Sequence, residues 1–248
     1  MILTFNEEPN IARTLGAVKW ANRILVVDSG STDQTVRLVE EYPQASVVTR
    51  AFDSFAQQCN FGLSLITSNW VLSLDADYEL SDSLIGELHQ LNPNEDVAGF
   101  RCSFIYRIHG RPLRSNLYPA RTVLYRRSQA IYLNEGHGHR VKIDGSVRDL
   151  TGPIFHDDRK PLVGWLASQQ KYAKVEVDYL LTESPELLGR IDRIRLLGWP
   201  SPLLVFFYTL LLKRSLLDGW AGWFYVLQRT LAEIMIALEI IDRRLQRK

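Results

Sequence analysis

Short apolar runs punctuate the first 80 residues at Ile2 to Phe5, Ile24 to Val27, Val47 to Thr49 and Trp70 to Leu74, with helix-length segments between them. Asn6 to Ala21 reads as one such helix, with Pro9 in its first turn and Ile11, Leu15 and Val18 at helical spacing. Ser54 to Ile66 reads as another. Strands alternating with helices in this way build βαβ units around a parallel sheet, with right-handed crossovers. The pattern also says where function sits, because ligands of an open parallel sheet bind beyond the carboxyl ends of its strands. Here the strands run into acidic residues: Thr4-Phe5-Asn6-Glu7, Asp28-Ser29-Gly30-Ser31-Thr32-Asp33, and Asp75-Ala76-Asp77.

Asp75 and Asp77 lie two apart in an extended segment, so their side chains point the same way. Paired carboxylate oxygens suit a hard divalent cation, which can in turn hold a diphosphate. Carboxylates gathered at several strand ends are costly unless a cation or hydrogen-bond donors fill the space between them. Asp33 reads more simply, as a cap for the helix that follows through Thr35, Leu38 and Val39. The Gly-x-Gly-x-x-Gly fingerprint is absent, which argues against a dinucleotide.

Beyond residue 80 the rhythm changes. Ser81 is a good N-cap for a helix to Leu91. Phe100, Cys102, Phe104, Tyr106 and Ile108 then alternate with Arg101, Ser103, Ile105 and Arg107, a strand period. Thr122 to Tyr125 and Val141 to Ile143 read as further strands, with Asp144-Gly145 a turn. This mixed β region carries a basic concentration at Arg101, Arg107, Arg111, Arg114, Arg121, Arg126 and Arg127. A solvated strand face is its plain reading, and a phosphate-bearing acceptor site its sharper one. Pro161 to Leu181 reads as a long amphipathic helix. The net charge of +1 gives no global field for nucleic acid. Cys59 and Cys102 have no metal or redox spacing and suit a reducing compartment.

In their order and spacing, Asp28-Ser29-Gly30-Ser31-Thr32-Asp33-x-Thr35 and Asp75-Ala76-Asp77 resemble the family 2 glycosyltransferases of GT-A fold. More narrowly the chain resembles the membrane-associated bacterial members that build lipopolysaccharide cores and other cell-surface glycans. That likeness takes in Gln58-x-Asn60-Phe61-Gly62, Trp70-x-Leu72, and His156-Asp157-Asp158-Arg159-Lys160-Pro161-Leu162 with Trp165 and Gln169. It covers nearly the whole chain and is most specific over residues 1–160.

The resemblance implies an α/β fold: a Rossmann-like nucleotide-binding sheet, a mixed β acceptor region, and a C-terminal helical extension. The expected division is a catalytic domain over 1–185 and an extension over 186–248. Thr4, Asn6, Glu7, Asp28, Gly30, Asp75 and Ala76 are implied to border the nucleotide-sugar donor, expected to be a UDP-sugar. Asp77 and His156 are implied to ligate Mg²⁺ or Mn²⁺. The implied reaction is an inverting displacement, in which a base takes the acceptor hydroxyl's proton as the nucleoside diphosphate leaves. Glu135, in Leu133-Asn134-Glu135-Gly136-His137-Gly138-His139, is the favoured base, and Asp157 and Asp158 compete with it. Many relatives carry adjacent His and Glu in this region, whereas here His139 is followed by Arg140. A sugar nucleotidyltransferase is an alternative, but such enzymes open on a glycine-rich loop and residues 1–15 contain no glycine. A catalytically impaired, membrane-docked nucleotide-sugar-binding module is the other alternative.

The extension sets an apolar run, Leu203 to Leu212, between Arg190, Arg193, Arg195 and Lys213, Arg214, followed by Trp220, Trp223, Phe224 and Tyr225. Apolar and aromatic residues bordered by arginine and lysine suit a helix lying in a membrane interface. The run is too short to span a bilayer. The expected setting is cytoplasmic, peripheral to the inner face of the membrane, with a lipid-linked glycan as acceptor. Packing on the domain, or on a second subunit in a homo-oligomer, is the competing reading of these helices.

Overall fold

The parallel core is laid down by register. Strand β1 (Ile2–Thr4) pairs with β2 (Ile24–Asp28), setting Thr4 opposite Asp28, and β2 pairs with β3 (Ala45–Thr49). On its other side β1 pairs with β5 (Leu74–Asp75), again in parallel. Only Ser73 separates β5 from β4 (Trp70–Leu72), which pairs antiparallel with β10 (Arg121–Arg126). The run from Trp70 to Asp75 therefore joins the parallel ladder to a mixed one, continued by β7 (Val97–Cys102) and β13 (Ser146–Asp149). The computed structural model describes residues 1–114, 118–135, 138–184 and 186–246, and the side chains of 134, 135 and 138–140 lie outside that description.

Alternation along the strands separates two apolar layers. Val26 and Leu74 face α1 (Ile11–Ala17), α2 (Thr35–Glu40) and α4 (Asp82–Gln90), through Ile11, Leu15, Val39 and Leu84. Val71 and Tyr125 face α3 (Phe55–Leu65) through Ala56, Cys59 and Leu63. Ser54 and Ser81 cap α3 and α4, accepting from the N–H groups of Gln57 and Leu84 at 3.2 Å each. Gly62 lets α3 approach the sheet: a Cβ there would stand 3.1 Å from Val27 and 2.4 Å from the Met1 sulfur. Helix α1 starts at Ile11, not at Asn6. The N–H groups of Asn6, Glu7 and Glu8 instead donate to Ser31, Thr35 and Asp33, at 2.9, 2.7 and 3.1 Å.

Three further pairings complete this part. Strand β14 (Ile154–His156) lies antiparallel to β6 (Tyr78–Leu80) and parallel to β8 (Phe104–Ile108). Strands β11 (Ala130–Glu135) and β12 (Gly138–Ile143) form a hairpin. Asn60 on α3 holds that hairpin, exchanging hydrogen bonds with the Tyr132 backbone at 2.9 and 3.0 Å.

By contact density the chain divides into Met1–Gly110 with Leu117–Arg159, and Arg111–Asn116 with Lys160–Lys248. The division falls before α5 (Leu162–Thr182), not at 185/186, because Val177 and Leu180 of that helix pack with Leu188 and Ile240. The second unit also holds the two-residue strand β9 (Arg111–Pro112), α6 (Arg190–Leu196), α7 (Pro200–Phe207), a π turn (Tyr208–Leu212), a 3₁₀ turn (Ser215–Asp218) and α8 (Gly219–Gln246). Arg195 of α6 sits between two buried carboxylates, Glu176 of α5 at 2.7 Å and Glu233 of α8 at 2.5 Å. Ser201 adds a hydrogen bond to Glu233 at 2.6 Å. Among the described residues no helix is long and apolar enough to cross a membrane.

Candidate active site

The register of β14 against β6 places His156 opposite Tyr78, and its Nε2 lies 3.0 Å from Oδ2 of Asp77. The turn carrying Asp77 is fastened from α1, where the buried Thr14 hydroxyl donates to the Ala76 carbonyl at 2.6 Å. Tyr78, Tyr106 and Tyr118 wall the imidazole, with ring centroids 5.3, 4.6 and 5.0 Å away. Burial alone would lower the His156 pKa. The charge and hydrogen bond of Asp77, joined by Asp75 and Asp158, outweigh it and hold the imidazole above its ordinary value.

The Asp77–His156 pair also fits a divalent ion as far as two ligands can. The two side chains meet as a hydrogen-bonded pair at 3.0 Å, an oxygen donor and a nitrogen donor side by side. A carboxylate and an imidazole, completed by phosphate oxygens and water, is an ordinary donor set for Mg²⁺ or Mn²⁺. Among the described residues no group of three or more His, Cys, Asp or Glu side chains forms a complete metal site.

Asp28 is used differently. It is 1% exposed, and its carboxylate closes its own turn. Oδ2 accepts from the N–H groups of Gly30 and Ser31, both at 2.9 Å. Oδ1 accepts from Thr4 at 3.0 Å and from the Ser31 hydroxyl at 2.5 Å. Gly30 has φ +91°, the left-handed region that favours glycine, and this lets the turn fold back on Asp28. Asn6 (φ +52°) accepts from the Thr32 N–H at 2.8 Å, so the loops after β1 and β2 form one wall. Asp33 accepts from the N–H and hydroxyl of Thr35 at 3.0 and 2.5 Å, but it stands one residue before the N-cap of α2, which is Gln34.

The segment after β14 is tied down by arginines. Asp157 is fully buried, and its Oδ2 meets Arg13 at 3.2 Å and Arg159 at 2.7 Å. Arg13 also donates to the Asp157 carbonyl at 2.7 Å. Asn10 bridges Glu7 and Asp158, donating at 2.9 and 3.0 Å. Asp157 thus lies in a clamp between α1 and this segment, while Asp158 is only partly buried. Glu135 pairs with Gly138 at the end of the β11–β12 hairpin, and its side chain lies outside the described residues, as does all of His137.

Sequence reading passed over several of these residues. Phe5, 51% exposed just past β1, offers a ring face on which a base can stack. An aromatic next to a strand end was the available signal. Asn10, Arg13 and Thr14 had none, because the partners that tie them to the site, Asp158, Asp157 and Ala76, lie 62 or more residues away.

A parallel sheet whose strand ends carry an acidic turn, with a histidine beside it, fits the GT-A fold. Comparison with known proteins gives the family: residues 1–145 match the model of glycosyl transferase family 2, and the chain belongs to that family. An uncharacterized glycosyltransferase of Rickettsia conorii is 32% identical over 162 residues, 62% of this chain and 57% of that protein. The chain thus matches less than two thirds of that relative's length. The lipopolysaccharide core biosynthesis glycosyltransferase LpsC of Rhizobium meliloti is 28% identical over 188 residues, 71% of this chain and 69% of LpsC. Among solved structures, S. aureus TarS 1-349 in complex with UDP-GlcNAc superposes with a TM-score of 0.50 at 14% identity, covering 94% of this chain and 80% of that one. That likeness speaks to fold alone.

Proposed function

We propose that the chain transfers a sugar, with inversion, from a nucleoside-diphosphate sugar to a hydroxyl of a lipid-linked or lipopolysaccharide-type glycan. The observation that carries this reading is the Asp77–His156 pair, 3.0 Å apart at the strand-end crevice of a family 2 domain. The name of the Rhizobium relative supports the choice of acceptor class. In this reading the wall formed by Thr4, Asn6, Glu7 and the Asp28–Gly30 turn receives the nucleoside, with Phe5 against the base. Asp75 and Ala76 border the ribose and diphosphate. Asp77 and His156 hold Mg²⁺ or Mn²⁺, which when bound neutralises charge developing on the diphosphate leaving group.

Glu135 takes the proton of the acceptor hydroxyl, and Asp158 is its competitor. The burial of Asp157 beneath two arginines supports a structural role for it. On the second unit, Leu203, Phe207, Leu212, Trp220, Trp223 and Leu227 are exposed. Lys213 and Arg214 are the only basic residues between them, and the acidic Asp218 is buried and paired with Arg114. Such a face suits peripheral contact with an anionic membrane surface, where a lipid-carried acceptor would be met.

The test is release of nucleoside diphosphate from UDP-sugars on adding acceptor, with and without Mn²⁺. Asp77→Asn is expected to lower metal-dependent turnover by about 100-fold or more. Turnover equal to that of the unaltered chain would remove Asp77 from the reaction.

A further inference from the structure

The fold disperses the arginines that crowd the middle of the sequence. Arg101 forms a two-toothed pair with Asp149 at 2.6 and 2.9 Å. Arg107 pairs with Glu79 at 3.1 Å, and Arg126 donates to the carbonyls of Val97 and Asn94. Arg111 and Arg114 belong to the second unit. Arg13 and Arg159, near the acidic turn, are both committed to Asp157.

Arg121, the first residue of β10, is placed otherwise. Its guanidinium lies over the Tyr118 ring, 4.3 Å from the centroid. The two tyrosine hydroxyls are 2.7 Å apart, and both rings pack on His156. A guanidinium therefore stands one aromatic layer from the Asp77–His156 pair and within the electrostatic reach of Asp75. Stacking on a ring fixes the plane of a guanidinium while leaving edge N–H donors free to turn toward a ligand. A planar fork of donors is the group that recognises phosphate with two parallel hydrogen bonds. Arginine carries five such N–H donors, and stacking on the Tyr118 ring uses none of them.

We propose that Arg121 grips the diphosphate of the nucleotide-sugar donor, held for that task by Tyr118 and by the Tyr78–Tyr118 hydroxyl pair. The assignment rests on the glycosyl-transfer reading and gives it a protein cation beside the metal site. The experiment titrates UDP and uridine separately, each with Mn²⁺, into the unaltered chain, Arg121→Gln and Arg121→Lys. UDP binding weakens about tenfold or more in Arg121→Gln, while uridine binding changes by less than about twofold. Arg121→Lys keeps the charge without the fork and falls between them. Circular dichroism checks that each variant folds, and if Arg121→Gln does not, the lysine variant decides. An unchanged ratio of UDP to uridine affinity overturns the proposal. Equal weakening of both ligands also overturns it, since that is the mark of packing alone. If the unaltered chain binds uridine but not UDP, the donor reading itself fails and the role of Arg121 falls with it.

Discussion

Asp28, Asp33 and Asp77 are the same residue type at the ends of the same kind of strand or loop, and their surroundings give them different tasks. Asp28 has its oxygens met by Thr4, Gly30 and Ser31, so it shapes the crevice wall. Asp77 meets the imidazole of His156, from the strand paired with β6, at 3.0 Å. Asp33 holds the start of α2. Burial pushes its pKa up, but the hydroxyl and N–H of Thr35 and the N–H of Glu8 outweigh that and hold it below its ordinary value. A carboxylate with a depressed folded-state pKa stabilises fully above its unfolded value, near 3.9, and loses that contribution as pH falls through the folded value. Asp33→Asn is therefore expected to cost about 1 kcal/mol at pH 7, with the gap closing as the pH is lowered through and below about 4. Urea denaturation at both ends of that range measures it, and a constant gap would deny the carboxylate this role.

At the scale of elements, short-range chemistry was readable and long-range partnership was not. The apolar periods gave β1 to β3 and α3 to α5 close to their observed limits, and the caps at Ser54 and Ser81 are in place. The single strand read from Trp70 to Leu74 is instead split at Ser73 into β4 and β5, which pair in different sheets. Helix α1 came out shorter than its period suggested because Asn6 to Glu8 are drawn to the next loop. The arginines at 190, 193 and 195 read from sequence as one basic group, yet Arg195 is turned inward between Glu176 and Glu233. Removing one member of such a buried cluster leaves an uncompensated charge. Arg195→Met is expected to destabilise the second unit by about 3–5 kcal/mol, read as a lowered thermal midpoint. Replacing Arg195, Glu176 and Glu233 together by apolar residues should restore most of it. If the triple variant were as unstable as the single one, packing rather than charge would be the cause.

At the scale of the molecule, the described structure leaves a broad apolar face on the second unit, with Trp199 and Leu212 71% and 74% exposed. If this face meets lipid, the chain will co-sediment with phosphatidylglycerol-containing vesicles, and the double change Leu212→Glu with Trp220→Glu will abolish that while leaving the fold intact. Vesicle binding untouched by the double change would place the contact elsewhere. A concentration-dependent dimer in solution, lost in the same variant, would make the occupant a second copy of the chain. By itself the sequence determined the βαβ order, the strand ends where ligands bind, the acidic turn at Asp75 to Asp77 and the family, because these rest on local periodicity and on short motifs whose spacing survives in one dimension. Only the tertiary structure decided which carboxylate closes a turn and which meets an imidazole, and which arginines are committed to partners. It also decided the direct hydrogen bond between Asp77 and His156, two residues that the family resemblance had already linked. Those outcomes depend on strand register and on contacts between residues far apart in sequence, such as the 79 positions between Asp77 and His156, and register is set by the packed core as a whole.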